Sequence, residues 1–122
     1  MDVGIDILEI PRIGKLLRRH RAHFVRRTFT DREIAAFPRR RVLYYALGFS
    51  FKEALWKTLP PRVQKQTWFN DIEIVWRQNR PQVFLRGRKL ENVDLKFGHD
   101  AKTVITTVTR HRKPFHPDKA AL

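Results

Sequence analysis

A pair of prolines, Pro60-Pro61, separates two kinds of hydrophobic pattern along the chain. Before the pair, apolar residues recur mostly at helical spacing. After it, they alternate with polar residues in short runs that end at turn-forming residues. A helix that reaches two adjacent prolines must end there, because their rings clash with the preceding turn and they lack N–H donors. The change of pattern predicts an α+β fold, with helices early in the chain and an antiparallel sheet in its C-terminal half.

Five segments carry strand signals. The first, residues 2–10, opens the chain and alternates until a proline stops it. The other four follow the proline pair, at residues 68–76, 82–86, 93–97 and 103–109. Turn-forming residues at 79–81 and at Gly87 separate the first three of these runs. We therefore expect an N-terminal strand and four later strands.

Helical signals fill the segment between the first strand and the proline pair. The first helix begins at residue 11 and is predicted either as one helix or as two with a break before Phe24. A second, short helix begins at Thr30, which forms a Thr-x-x-Glu capping box with Glu33. The third and longest spans residues 40–59, with Gly48 as its weak interior position.

The length of 122 residues and the hydrophobic content of 42% suit one domain with a modest core. We assign residues 1–110 to that domain and residues 111–122 to a loose basic tail. No apolar run approaches the roughly 18 to 20 residues of a bilayer span. The absence of cysteine excludes disulfides, thiolate metal sites and a cysteine nucleophile. The chain is expected to be a soluble, cytoplasmic protein without a membrane partner.

The chain carries 26 Lys and Arg against 12 Asp and Glu, a formal net charge of +14. A charge of this density concentrates anionic partners and speeds their encounter. Nucleic acids, acidic proteins and polyphosphate ligands all qualify, so the charge indicates a class of partner without choosing a function. Three Trp and many Arg keep a nucleic-acid-binding module among the candidates.

The third helix places Glu53 and Lys57 four residues apart on one face. By itself this spacing is typical of an exposed ion pair, worth roughly 0.3 to 0.5 kcal/mol. The first strand adds Asp6, a carboxylate set between Ile5 and Ile7, where burial is costly without a partner. A metal ion is one such partner, and Mg²⁺ is usually held by one or two carboxylates with substrate phosphates and water. Asp6 and Glu53 are therefore candidate Mg²⁺ ligands.

Residues 4–13, Gly-Ile-Asp-Ile-Leu-Glu-Ile-Pro-Arg-Ile, resemble the opening motif of the holo-acyl-carrier-protein synthases. Residues 49–57, Phe-Ser-Phe-Lys-Glu-Ala-Leu-Trp-Lys, resemble the signature helix of that family. Segments at 24–33, 69–74, 80–81 and His99 follow in the family's order, so the likeness runs from about Val3 to Val108. It implies a 4′-phosphopantetheinyl transferase-like fold. It also implies transfer of 4′-phosphopantetheine from coenzyme A to a serine of an acyl or peptidyl carrier protein, with release of adenosine 3′,5′-bisphosphate.

The resemblance further implies roles for individual residues. Asp6 and Glu53 would hold Mg²⁺, with Glu53 or a metal-bound water accepting the serine proton and Lys57 completing the catalytic set. Lys57, Lys52 and His99 would contact the phosphates and pyrophosphate of coenzyme A. The first helix would receive an acidic helix of the carrier, because Arg forks pair carboxylates while apolar anchors fill pockets. The residues assigned to this docking are Arg12, Leu16, Arg19, Phe24 and Arg27.

The chain also departs from the family pattern. Gly48 stands where the family pattern has an Arg that would touch the phosphates of coenzyme A. The Ser-x-Ser-His or Ser-x-Thr-His stretch of the pattern reads Lys96-Phe97-Gly98-His99 here, and Lys96 is expected to compensate for the missing hydroxyls. The related transferases that serve peptide synthetases have two lobes and are about twice as long as this chain. The resemblance is therefore to the single-lobe branch, in which the sites lie between protomers, and it implies a homotrimer. A nucleic-acid-binding module and a non-catalytic homologue that binds a carrier are the alternative functions.

Overall fold

The structure, a computed structural model, describes residues 1–111. All but the first residue of the predicted tail at 111–122 therefore lies outside the described residues. Within that range no helix is both long and apolar enough to cross a bilayer. The elements in chain order are β1 (Asp2–Glu9), α1 (Ile10–Thr28), α2 (Asp31–Ala35), α3 (Val42–Lys57), α4 (Pro61–Lys65), β2 (Ile72–Arg77), β3 (Arg80–Leu85), β4 (Arg88–Lys89), β5 (Val93–His99) and β6 (Thr103–Arg110).

The strands form two antiparallel three-stranded sheets. The first has the order β1-β6-β5, so the opening strand pairs with the last one, and the second has the order β2-β3-β4. The predicted α+β fold is confirmed, but the strands are divided between two sheets, one of which contains the N-terminal strand. In the β1–β6 pair, Asp6 lies opposite Thr106. Residues that pair across strands share one face of a sheet, so Thr106 is an immediate neighbour of Asp6.

α1 is a kinked helix. Its 19 residues are interrupted at His20, whose φ of −141° and ψ of 38° are not helical. Of the two predicted forms, the one with a break before Phe24 is confirmed. α3 has 16 residues, lies within the predicted span of 40–59 and is two residues shorter than that span at each end. Among residues 1–111 it is the longest helix without a break.

The segment after the proline pair differs from the prediction. Pro61 begins a short helix, α4, and a 3₁₀ turn at Phe69–Asp71 follows it. In this turn the Asp71 carboxylate accepts a hydrogen bond from the Trp68 backbone N–H at 2.9 Å. Such a local cap competes with the extended conformation. Strand β2 therefore begins at Ile72 and not at residue 68.

Two other local predictions are confirmed. α2 begins with the capping box, in which the Thr30 hydroxyl and the Glu33 carboxylate each accept a backbone N–H. The predicted turns contain residues in the left-handed region, with φ of 62° at Asn79 and 81° at Gly87. Asparagine and glycine adopt this region at low cost, which is why these positions end the neighbouring strands.

α3 is the centre of the core and packs against β1 and β6. Ala54 and Leu55 of α3 are fully buried, as are Val104 and Val108 of β6. α3 also contacts α1 and β2, so apolar side chains surround it on most sides. The residues of β1 and β6 that face this helix are consequently held within reach of its few polar side chains.

β1 and α3 approach each other very closely at Gly4. A Cβ atom at Gly4 would lie 1.8 Å from the Ala54 carbonyl oxygen and 3.2 Å from Thr58 Cγ2. Only glycine allows this approach, because the backbone of a helix cannot rotate away as a side chain can. Asp6 is the next residue of β1 on the same face, so the contact at Gly4 sets how near Asp6 comes to α3.

We predict that Gly4→Ala destabilises the fold by about 3 kcal/mol or more, because the new methyl group clashes with the backbone of α3. The matched control is Gly14→Ala in α1, where a Cβ atom would lie 3.3 Å from the flexible end of Arg18. That variant should be up to about 1 kcal/mol more stable than the wild type, since alanine favours a helix. Urea unfolding measures both, and equal midpoints would contradict the close approach.

Candidate active site

Lys57 connects α3 to β1. Its Nζ donates a 2.8 Å hydrogen bond to the carbonyl oxygen of Ile5 and lies 3.5 Å from Asp6 Oδ1. Within residues 1–111, Lys57 forms an ion pair with Asp6 and forms none with Glu53. The exposed pair suggested by the helical spacing of Glu53 and Lys57 is therefore replaced by a pair between helix and strand.

Glu53 belongs to the same charged cluster. Burial raises the pKa of the Glu53 carboxyl, and the negative charge of Asp6 raises it further, while Lys57 and Arg12 act in the opposite direction. Asp6 and Glu53 thus influence each other across the contact between β1 and α3. Arg12, which is predicted to dock the carrier protein, also adds positive charge near Glu53.

The donor set of the cluster suits a hard cation. Asp6 and Glu53 offer carboxylate oxygens, which Mg²⁺ prefers to nitrogen and sulfur. In the part of the chain that the structure describes, no group of three or more His, Cys, Asp or Glu is placed to hold a metal by itself. Two carboxylates leave most of an octahedral shell to water and to the phosphate oxygens of a ligand, as is usual for Mg²⁺. The mutual repulsion of the two carboxylates marks a place where a cation is favourable.

Two hydroxyl groups that the sequence did not single out lie behind Asp6. Ser50 Oγ donates a 2.8 Å hydrogen bond to Asp6 Oδ2 and lies 2.7 Å from Thr106 Oγ1. Both hydroxyl-bearing residues are fully buried. The sequence could have indicated Ser50, because it lies three residues before Glu53 and so on the same face of α3. The sequence could not have indicated Thr106, because its pairing with Asp6 joins opposite ends of the chain.

Lys52 is a core residue. Its side chain is completely buried, and Nζ donates to the Glu33 carboxylate at 2.6 Å and to the carbonyl oxygens of Thr28, Phe69 and Ile72. An ammonium group has three N–H donors, and these four acceptors occupy all of them. The assignment of Lys52 to coenzyme A phosphates is therefore wrong. The helix turns by about 100° per residue, which points Lys52 into the core and away from Glu53.

Lys96 and His99 lie on β5, the strand of the first sheet farthest from β1. Lys96 is paired with Thr107 and shares the outward face of the sheet, whereas His99 is paired with Val104 and shares the face toward α3. Two strand spacings, about 10 Å, separate β5 from β1. Within one protomer neither side chain is therefore brought to Asp6, and their contact with coenzyme A stays a prediction.

One wall of an apolar cavity of about 540 Å³ is formed by α1. Three of the residues assigned to carrier docking, Leu16, Phe24 and Arg27, line this cavity. Arg19 is exposed and is not part of the lining. The cavity is also lined by residues for which no role is predicted, among them His20, His23, Phe49, Trp56, Trp68 and Phe69.

Gly48 leaves room for an aromatic ring. A Cβ atom at this position would lie 2.9 Å from Phe29 Cε1. Phe29 is buried, and Phe24, Phe37 and Tyr45 pack edge-on against its ring. The ring of Phe29 therefore lies where an arginine at position 48 would begin, and the phosphate contact of the family pattern is missing at this corner.

Three of the motif positions, Asp6, Glu53 and Lys57, fall into one cluster, on a fold that can be compared with known proteins. A family model described as the 4′-phosphopantetheinyl transferase superfamily matches residues 2–109. The chain belongs to this superfamily. It is similar to the holo-[acyl-carrier-protein] synthase of Geobacillus kaustophilus, with 36% identity over 115 residues, 90% of this chain and 88% of that protein. Its likeness to the synthase of Nitrobacter hamburgensis is 34% identity over 100 residues, 76% of this chain and 72% of that protein.

Solved structures of the family share the fold. The holo-[acyl-carrier-protein] synthase of Helicobacter pylori, in complex with coenzyme A, superposes with a TM-score of 0.75 at 28% identity, covering 89% of this chain and 99% of that one. The enzyme of Neisseria meningitidis gives a TM-score of 0.72 at 25% identity, with 91% and 98% covered. The family resemblance of the sequence is thereby confirmed over nearly the whole described chain.

We predict that Glu53→Gln raises the thermal stability of the unliganded protein near neutral pH. Because the pKa of Glu53 is raised in the folded protein, its ionised form is less favourable there than in the unfolded chain. That cost is absent below the ordinary value of 4.5 and fully present above the raised value. Melting curves should show a more stable variant at about pH 7 and no difference at about pH 3.

The matched control is Glu91→Gln, which removes an exposed carboxylate from the loop before β5 and should melt like the wild type. A Glu53→Gln variant that is less stable than the wild type at neutral pH would contradict the prediction. It would mean that Lys57 and Arg12 stabilise the ionised carboxylate more than burial and Asp6 oppose it.

Proposed function

We propose that this chain is a holo-acyl-carrier-protein synthase, which transfers 4′-phosphopantetheine from coenzyme A to a serine of an acidic carrier protein with Mg²⁺ as cofactor. The observation that carries the proposal is the meeting of Asp6, from β1, with Glu53 and Lys57, from α3, at the positions of the family motifs. The names of the relatives and the coenzyme A complex of the Helicobacter pylori enzyme support the same reaction.

In the proposed reaction, the serine oxygen of the carrier bonds to the β-phosphorus of coenzyme A. The bond from that phosphorus to the oxygen leaving with adenosine 3′,5′-bisphosphate breaks. Glu53, whose pKa is raised by burial, accepts the serine proton directly or through a water. Lys57 is half-exposed beside Asp6 and can neutralise a phosphate oxygen. Mg²⁺ held by Asp6 and Glu53 would supply further charge neutralisation at the phosphates.

The cavity along α1 supports docking of an acidic carrier helix. Leu16 and Phe24 offer an apolar floor, and Arg27 adds a guanidinium at its edge. An amphipathic acidic helix fits such a surface, because its apolar side chains fill the cavity while its carboxylates pair with arginine. The net charge of +14 then speeds the encounter with an acidic partner. Arg19 is exposed beyond the cavity and is proposed to act at the rim.

A homotrimer is part of the proposal. Val3, Ile5 and Ile7 of β1 and Ile105 of β6 lie on the outward face of the first sheet and are between 43% and 65% exposed. A contiguous apolar face of this kind is typical of a protein contact. Lys96 lies on the same face, so a second copy covering it would bring Lys96 toward a neighbouring protomer. In such an assembly, residues of two protomers would together form the coenzyme A site.

We predict that Ile7→Asp reduces the assembly to smaller species and lowers transfer in parallel, because a charge on the covered face is buried without a partner. The matched control is Val42→Asp, which places the same charge at an exposed apolar residue at the start of α3. It should leave the assembly intact. Light scattering coupled to size exclusion measures both, and a monomeric wild type would refute the trimer.

The reaction itself is tested by incubating the protein with Mg²⁺, coenzyme A and a panel of carriers and weighing each carrier. We predict a mass gain of one phosphopantetheine on at least one carrier. Asp6→Asn or Glu53→Gln should lower the rate by about 100-fold or more, as expected for loss of a metal ligand. Glu91→Gln serves again as the matched control and should react at the wild-type rate.

Failure to modify any carrier would favour a non-catalytic homologue, provided that the carrier still binds. The high positive charge also favours nucleic acid as an alternative partner, and a salt-titrated DNA or RNA binding assay beside the coenzyme A transfer assay separates that function from the enzyme. Binding through phosphates should weaken steeply as salt rises.

We expect the enzyme to act in the cytoplasm, where coenzyme A is available, and cell fractionation tests this location.

A further inference from the structure

The hydroxyl groups behind Asp6 form a chain with a defined direction. The Ser50 hydroxyl has one proton, and an ionised carboxylate only accepts hydrogen bonds, so Ser50 donates to Asp6 Oδ2 across 2.8 Å. The Thr106 hydroxyl, 2.7 Å away, must then donate to Ser50 Oγ. Hydrogen bonds arranged in series polarise and strengthen one another.

This chain distinguishes the two oxygens of Asp6. Oδ2 faces the buried hydroxyl of Ser50, whereas Oδ1 lies 3.5 Å from the half-exposed Lys57 ammonium. The Asp6 side chain is only 15% exposed, so little of its carboxylate is open to solvent. Fixing Oδ2 therefore fixes the direction in which Oδ1 points.

The hydroxyl pair supplies a donor to a carboxylate that is largely shielded from water. Apolar side chains at positions 50 and 106 would leave Asp6 Oδ2 without that donor, which costs free energy at a shielded position. The pair is also suited to orienting the carboxylate, because it presents a single donor at Oδ2 and leaves Oδ1 on the side of Lys57.

We propose that Ser50, oriented by Thr106, is a positioning residue that holds Asp6 for a divalent cation bound at Oδ1. The inference rests on the proposed function, because it takes Asp6 as a metal ligand. Groups that hydrogen-bond to a ligating carboxylate orient it, and their loss typically weakens metal binding by about 10- to 100-fold. Neither hydroxyl touches substrate, so both act through Asp6.

The test titrates Mn²⁺ alone into the wild type and variants and counts the free ion by electron paramagnetic resonance, without coenzyme A or carrier. Ser50→Ala should raise the Mn²⁺ dissociation constant by about 10-fold or more. Thr106→Val keeps the donor from Ser50 but removes the group that orients it, so it should give a smaller loss in the same direction. The matched control is Thr58→Val, which removes a buried hydroxyl bonded to the Leu55 carbonyl oxygen. It should bind Mn²⁺ like the wild type.

A second readout separates positioning from a general structural effect. In the transfer assay, Ser50→Ala should require more Mg²⁺ for half-maximal rate, by the same factor as its loss of Mn²⁺ affinity. Its kcat at saturating Mg²⁺ should return to the wild-type value. A kcat that stays low at saturating Mg²⁺, with the Mg²⁺ requirement unchanged, would overturn the inference.

Asp6→Asn separates failure of the inference from failure of the proposed function. If Asp6→Asn loses Mn²⁺ binding while Ser50→Ala and Thr106→Val bind normally, the positioning role is wrong and the metal site stands. If Asp6→Asn binds Mn²⁺ like the wild type, the metal assignment fails, and the inference fails with it. Should Ser50→Ala not fold, a wild-type affinity in Thr106→Val overturns the inference.

Discussion

The buried ammonium of Lys52 holds α1, α2 and the start of the second sheet against α3, the helix that carries Glu53 and Lys57. It joins the Glu33 carboxylate of α2 to the last carbonyl of α1, at Thr28, and to the carbonyls of Phe69 and Ile72, where the second sheet begins. Burial raises the pKa of Glu33 and lowers that of Lys52, and the charge of each partner opposes this effect on the other. These segments are thereby fixed around α3, in which Glu53 directly follows Lys52.

The alternation of β1 gives one strand two tasks. Gly4 and Asp6 point toward α3, where the close approach at Gly4 brings the carboxylate to the helix. Ile5 and Ile7 point the other way and form the exposed apolar face. Since neighbouring residues of a strand face opposite sides, the proposed metal ligand, Asp6, and the proposed subunit contacts, Ile5 and Ile7, are consecutive residues. Packing on one face thus constrains the geometry of the other.

Much of the site could be predicted from the sequence, because Asp6, Glu53 and Lys57 lie in local motifs whose order is visible in the chain. What failed depends on partners distant in sequence. Helical spacing shows that Lys52 faces away from Glu53, but not that it meets the carboxylate of Glu33 in the core. Likewise, alternation predicts the first and last strands without revealing that they pair, and the Ser50–Thr106 contact joins residues 56 positions apart.

The ring of Phe29 over Gly48 makes these two positions interdependent. An arginine introduced at position 48 alone meets a ring that three aromatic neighbours hold in place, so it lowers stability before any phosphate contact can form. A smaller residue at position 29 alone opens a cavity in the core. A mutational path between this sequence and the arginine-bearing pattern therefore passes through a less stable single variant, and introducing the arginine requires both exchanges at once.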